Sequence, residues 1–185
     1  MSLPPPTLYD PAKHKSLLPQ IAQIQADCIL QDNTLATFHP DKYGRMDMQR
    51  VLHYWLANSK QVEQGTRAII LQFADDNKEE LAGYVSVYMK VSETRPFLGV
   101  VEKMMVSPLH RRRGVARQVL GMLEEVAREK GRWLLELDTT VGSGAEFVYP
   151  KLGYKELGVV PNYGVDPKGN LVDGMYFYKD LREQE

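Results

Sequence analysis

The chain has a single cysteine among its 185 residues, Cys28, so it cannot close an internal disulfide, and a reducing, cytoplasmic setting is expected. It has no excess of charge of either sign: 23 Lys and Arg stand against 24 Asp and Glu, a formal net charge of -1. No global basic field is therefore available to draw in nucleic acid or an anionic membrane, and neither is expected as a partner. Nor does any apolar run approach the ~18 residues of a membrane helix, so a soluble protein is expected. The start lacks the charged, apolar and small-residue sequence of a secretory leader. His, Cys, Asp and Glu nowhere cluster at metal-ligand spacing, and no metal is expected.

What remains is a length and a 43% hydrophobic content suited to one domain over residues 1–185. Residues 1–10 should be poorly ordered, because Pro4, Pro5 and Pro6 favour an extended start. Leu17, Leu18, Ile21, Ile24, Cys28 and Ile29 recur at helical spacing, as do Met48, Val51, Leu52, Trp55 and Leu56. Three strand-like runs follow, Thr66 to Phe73, Leu81 to Met89 and Phe97 to Val106, with short connections that favour an antiparallel meander. The pattern then becomes a helix striped by Ala116, Val119, Leu120, Leu123, Val126 and Ala127, and a strand from Trp133 to Leu137. Ser143 and Glu146 have capping-box spacing and predict a short second helix ending before Gly153. Tyr154 to Val160 and Met175 to Tyr178 are the last strands, with Pro, Gly, Asn and Asp forming a loop between them.

The chemistry concentrates after the third strand-like run. Ser107 to Ala116 leaves a strand and enters a helix, where free backbone N–H groups and the helix dipole favour an anion. Gly114 lets a phosphate approach the backbone, Ala116 keeps the first turn small, and Arg111, Arg112, Arg113 and Arg117 add positive charge. The segment lacks the Gly-Lys-Ser/Thr ending of a P-loop and the three glycines of a dinucleotide fingerprint. A pyrophosphate loop of another kind is indicated.

Arg111-x-x-Gly114-x-Ala116 resembles the Arg/Gln-x-x-Gly-x-Gly/Ala signature of the GNAT superfamily of N-acetyltransferases, and Ala145-x-x-x-Tyr149-x-x-x-Gly153-Tyr154 resembles its second motif. The resemblance implies an α/β GNAT fold: a mixed, mostly antiparallel sheet of six or seven strands, helices on both faces, splayed near Val106 and Leu137. It implies acetyl-CoA as cofactor. Amides of Arg112, Arg113, Gly114, Val115 and Ala116 would cradle its pyrophosphate, and the main chain of Met105 and Val106 would bind its pantetheine arm. More narrowly, Asp27-Cys28, Lys103 to Val106, Leu137 to Thr140 and the segment from Gly158 to Tyr163 look like the tabtoxin-resistance acetyltransferase branch, which acts on an amino-acid-like toxin.

By that resemblance Tyr149 stands where a general acid protonates the departing thiolate, and the reaction is direct attack without a covalent intermediate. Glu102, four residues before Val106, should share a strand face with Met104 and Val106 and is a candidate base, directly or through water, unless a neighbouring Lys or Arg pairs with it. The segments Gln31 to Tyr43 and Pro161 to Asp173 should frame the acceptor, with Thr34, Phe38 and Tyr163 as binding residues. The expected substrate is a small-molecule amine, and the narrower resemblance implies an amino-acid-like one. The alternatives are a protein lysine or N-terminal acetyltransferase and a non-catalytic acyl-CoA-binding module. A monomer or homodimer is expected.

Overall fold

The Val-, Ile- and Tyr-rich runs pair in a single sheet. In the computed structural model, which describes residues 3–183, β1 (Thr7–Leu8) leads into α1 (Pro11–His14), α2 (Leu18–Asp32) and α3 (Met48–Glu63), followed by β2 (Arg67–Phe73), β3 (Leu81–Tyr88) and β4 (Leu98–Val106). After these come α4 (Val115–Glu129), β5 (Leu134–Thr140), β6 (Lys155–Val165) and β7 (Leu171–Asp180). The strand order is β1-β2-β3-β4-β5-β7-β6, with β4 and β5 parallel and the other neighbours antiparallel. This is the mixed, mostly antiparallel sheet that the resemblance implies, with seven strands.

Period-two alternation in β2 and β3 feeds two cores. Ala68, Ile70, Val85 and Val87 meet Val119, Leu120 and Leu123 of α4 on one face. Ile69, Leu71, Phe73 and Tyr84 meet Ile21, Cys28 and Trp55 of α2 and α3 on the other. The Trp55 indole donates to Gln25 Oε1 at 2.7 Å and Gln25 Nε2 donates to the Ala36 carbonyl at 2.6 Å, so a satisfied buried polar pair also fixes the loop after α2. Asp47 caps α3, accepting from the Gln49 and Arg50 amides at 3.1 and 3.1 Å.

Three expectations need correction. The N-terminus is docked from Pro4 onward: the buried Gln72 amide donates to the Pro4 carbonyl at 2.7 Å, Thr7 and Leu8 cover the edge of β2, and Tyr9 is buried. An otherwise bare sheet edge supplies the partners that the prolines cannot supply among themselves. Met1 and Ser2 lie outside the described residues. The short helix expected after Ser143 is instead two 3₁₀ turns, Ala145–Phe147 and Pro150–Leu152, since Pro150 has no N–H to continue a helix. The capping contacts still form, Glu146 accepting from the Gly142 amide at 2.6 Å and from Ser143 Oγ at 3.2 Å. Finally, Pro161 to Val165 belongs to strand β6 as a bulge, leaving only a tight turn around Asp166 to Asn170.

Candidate active site

The site begins where the sheet comes apart. β4 and β5 pair only from Leu98 with Leu134 to Val100 with Glu136. Beyond that point β4 bulges: Ser86 lies opposite Glu102 and Tyr84 opposite Met105, three steps on one strand against two on the other. Lys103, inside the bulge, has φ 55, a left-handed conformation for a residue with a β-carbon. The extra residue changes the parity of the strand. Glu102 therefore shares a face with Met105, toward α2 and α3, and not with Met104 and Val106 as strict alternation predicts.

A cleft of about 710 Å³ occupies this seam. One end of it is the start of α4. Gly114 has φ +83 with open space where a β-carbon would sit, and the first helical bond runs from the Gln118 amide to the Gly114 carbonyl at 3.1 Å. The amides before Gln118 thus point out of the helix start, a cradle that fits a pyrophosphate. Arg111, Arg112, Gly114, Val115 and Ala116 line this end, with Met105 and Val106 along the floor. Arg111 makes a bidentate pair with Asp32 at the end of α2, 2.9 and 2.5 Å. Arg113 does not line the cleft: it bonds the Ala74 carbonyl at 3.1 Å and His110 Nδ1 at 2.9 Å, and His110 in turn meets Glu80. Arg117 faces a separate shallow depression beside Pro5 and Pro6. Cys28 lies under the floor, donating to the Val106 carbonyl at 3.5 Å, and burial raises its thiol pKa to about 11.

At the other end Tyr149 is buried between Tyr154 and Phe177, ring centroids 5.8 and 5.6 Å away, and still lines the cleft. Its hydroxyl has no hydrogen-bond partner among the described residues. Burial, aided by the Asp138 charge, raises its pKa well above the ordinary phenol value. Asp138, on β5, accepts from the Tyr163 hydroxyl at 2.9 Å. Tyr163 reaches it because the β6 bulge around Asn162, φ 53, turns the chain inward, and because Gly174 beneath the ring has no side chain; a β-carbon there would come within 2.5 Å of the ring. Thr34, Leu35, Thr37 and His39 form the opposing wall, and His39 Nε2 meets the Val165 carbonyl at 3.0 Å, joining the two expected framing segments. Phe38 points elsewhere, edge-on to Tyr54 at 5.7 Å, and does not line the cleft. Glu102 lines it but is paired with the buried Arg67 at 2.8 Å, while Arg67 also donates to Gln61 and Ser86.

Two functional candidates escaped the sequence reading, Asp138 and Lys103. A lone carboxylate in a strand has no motif. The alternation of Asp138 with the buried Leu135 and Leu137, which places it on the opposite face, was the available signal.

Comparison with known proteins agrees with this fold. The chain is 25% identical over 129 residues to the [ribosomal protein bS18]-alanine N-acetyltransferase of Haemophilus influenzae, covering 70% of this chain and 84% of that one. The structure of yncA from Salmonella typhimurium, solved with its cofactor acetyl-CoA, superposes with a TM-score of 0.75 at 19% identity, covering 100% of this chain and 97% of that one. The ribosomal-protein-alanine N-acetyltransferase of Brucella melitensis gives 0.72 at 21% identity, covering 95% and 99%. The model of the acetyltransferase (GNAT) family matches residues 31–154, which include the phosphate cradle, the open seam and Tyr149, and the chain belongs to that family.

Proposed function

We propose that this enzyme transfers acetyl from acetyl-CoA to the primary amine of a small molecule. The observation that carries the acceptor class is the roof over the seam. The loop through Thr34 and His39 meets β6 at Val165, so the acceptor space is bounded on both sides within one cleft of about 710 Å³. Acetyl-CoA supplies an activated acetyl thioester. Its pyrophosphate is assigned to the amides from Arg112 to Ala116, and its pantetheine arm to the β4 backbone at Met105 and Val106, which β5 leaves unpaired.

For the chemistry, an acceptor ammonium must lose a proton before its nitrogen can attack, and the thiolate must gain one. Asp138 is the carboxylate assigned to take the proton from the ammonium, because it lies in the cleft, it is not neutralised by a cation, and Tyr163 holds one of its oxygens. Glu102 is the less favoured base, because Arg67 occupies its Oε2. Tyr149 is assigned to give a proton to the thiolate and to be reprotonated by the second proton that the nitrogen sheds as the amide forms. Its hydroxyl is unclaimed, and its raised pKa keeps the proton available at neutral pH.

The 25% identity to a ribosomal-protein-alanine acetyltransferase supports a second reading, an α-amine at a protein N-terminus. Coenzyme A release decides between them, measured with free amino acids, polyamines and simple amines against N-terminal and lysine peptides. At least one small amine is expected to exceed every peptide in kcat/KM. A peptide ahead of every small amine by ~10-fold or more overturns the assignment, and saturable acetyl-CoA binding with no thiol release for any amine would make the chain a binder.

A further inference from the structure

Lys103 is a charge beside the acceptor space that the chemistry above leaves unused. Its main chain sits in the left-handed region inside the β4 bulge, a conformation that is costly for any residue carrying a β-carbon. Its side chain is half-buried and lines the cleft, yet its ammonium forms no hydrogen bond or ion pair among the described residues. The one contact is with the Tyr54 ring, centroid 5.8 Å away. Backbone strain and loss of hydration are both unfavourable, and neither is offset by a partner inside the chain. A bulge next to a site commonly re-aims a side chain, and here it brings Lys103 into the space shared with Asp138.

The charges around it sort into pairs. Arg67 and Glu102 neutralise each other at 2.8 Å. Arg111 and Asp32 do the same at the phosphate end. Asp138 accepts a neutral hydroxyl from Tyr163 and is in no ion pair among the described residues. Arg112 stands at the phosphate end, so among the described residues Asp138 and Lys103 are the unpaired anion and cation facing the acceptor space. They act on each other without ion-pair contact, and burial lowers the Lys103 pKa despite the nearby carboxylates of Glu102 and Asp138. An amine alone complements only half of this arrangement. A molecule carrying both an ammonium and an anionic group complements all of it.

We infer that Lys103 is the anchor for an anionic group on the acceptor, so the substrate is a small amine that also bears a carboxylate or an equivalent oxyanion. With the ammonium at Asp138 and the anion at Lys103, the nitrogen is held at a fixed end of the molecule beside the acetyl carbon. This inference rests on the small-amine reading and narrows it.

The test uses matched sets of three: a free L-amino acid, its carboxamide and the corresponding decarboxylated amine. Coenzyme A release is followed with wild type, Lys103→Met and Lys103→Arg. Wild type is expected to favour the acid over both uncharged analogues by about 30-fold or more in kcat/KM. In Lys103→Met that preference falls below about 3-fold through a raised KM for the acid, acetyl-CoA KM is unchanged, and Lys103→Arg recovers part of it. Wild type turning over amide and amine as well as acid overturns the role of Lys103 while leaving the small-amine reading intact. The same holds if a folded Lys103→Met keeps the preference. No turnover of any member, with peptides acetylated, overturns both.

Discussion

Tyr149 combines two properties that a structural tyrosine in a core does not need together: an apolar surrounding on nearly every side and a hydroxyl opening on a charged cleft. Because burial raises its pKa, the phenol stays protonated beyond its ordinary range, as the donor role proposed for it requires. The rate should show no loss attributable to this group up to about pH 10. Tyr149→Phe keeps the ring packed against Tyr154 and Phe177 and removes only the proton. It should lower kcat by roughly 10- to 1000-fold with acetyl-CoA KM little changed. Single-turnover kinetics would check this, and an unchanged chemical step would return the residue to a packing role. At this scale the sequence was partly legible. Tyr149 and Gly114 stood at motif positions, but the pairing of Glu102 with Arg67 joins residues 35 apart in the chain, and nothing in local spacing reports it.

Elements hold these residues in place through a few buried ties. The turn at Pro150–Leu152, which carries Tyr149 into position, is fixed by Lys179 of β7: its ammonium donates to both oxygens of Glu124 on α4, 2.8 and 2.8 Å, and to the Leu152 carbonyl at 2.7 Å. All of this is inside the protein, with Lys179 only 5% and Glu124 7% exposed. Lys179→Met would leave a buried carboxylate without a cation, a loss of about 3–5 kcal/mol. Urea unfolding should show it, and Lys179→Met with Glu124→Leu should recover part of that loss.

The start of α4 supplies a second prediction. Gly114→Asp would set a carboxylate against the phosphate cradle and force a β-carbon into φ +83, so acetyl-CoA affinity should fall by at least ~100-fold. Calorimetric titration of a variant shown to be folded measures this, and near wild-type affinity would sink the cradle assignment. Helix and strand identities were readable from periodicity, since α2, α3 and α4 each bury one stripe. The two bulges were not readable. One extra residue at Lys103 reverses the faces of the strand, and the Pro161–Asn162 pair, a turn signal in isolation, is absorbed into β6 by pairing with β7.

At the scale of the whole molecule, the cleft draws on distant parts of the chain: Cys28 to His39, Val100 to Ala116, Asp138 to Tyr149 and Tyr163 to Val165. The sheet order explains how they meet. β6 is joined to the sheet only by β7, which lies between it and β5. During synthesis β6 leaves the ribosome first, yet it has no strand to pair with until β7 has followed. The cradle, the seam and Tyr149 precede both strands, while Tyr163 and the contact at Val165 depend on them. Completion of the wall at Tyr163 and Val165 is thus postponed until β7 has been made, and a nascent chain can assemble the start of α4 and the open seam before that wall exists.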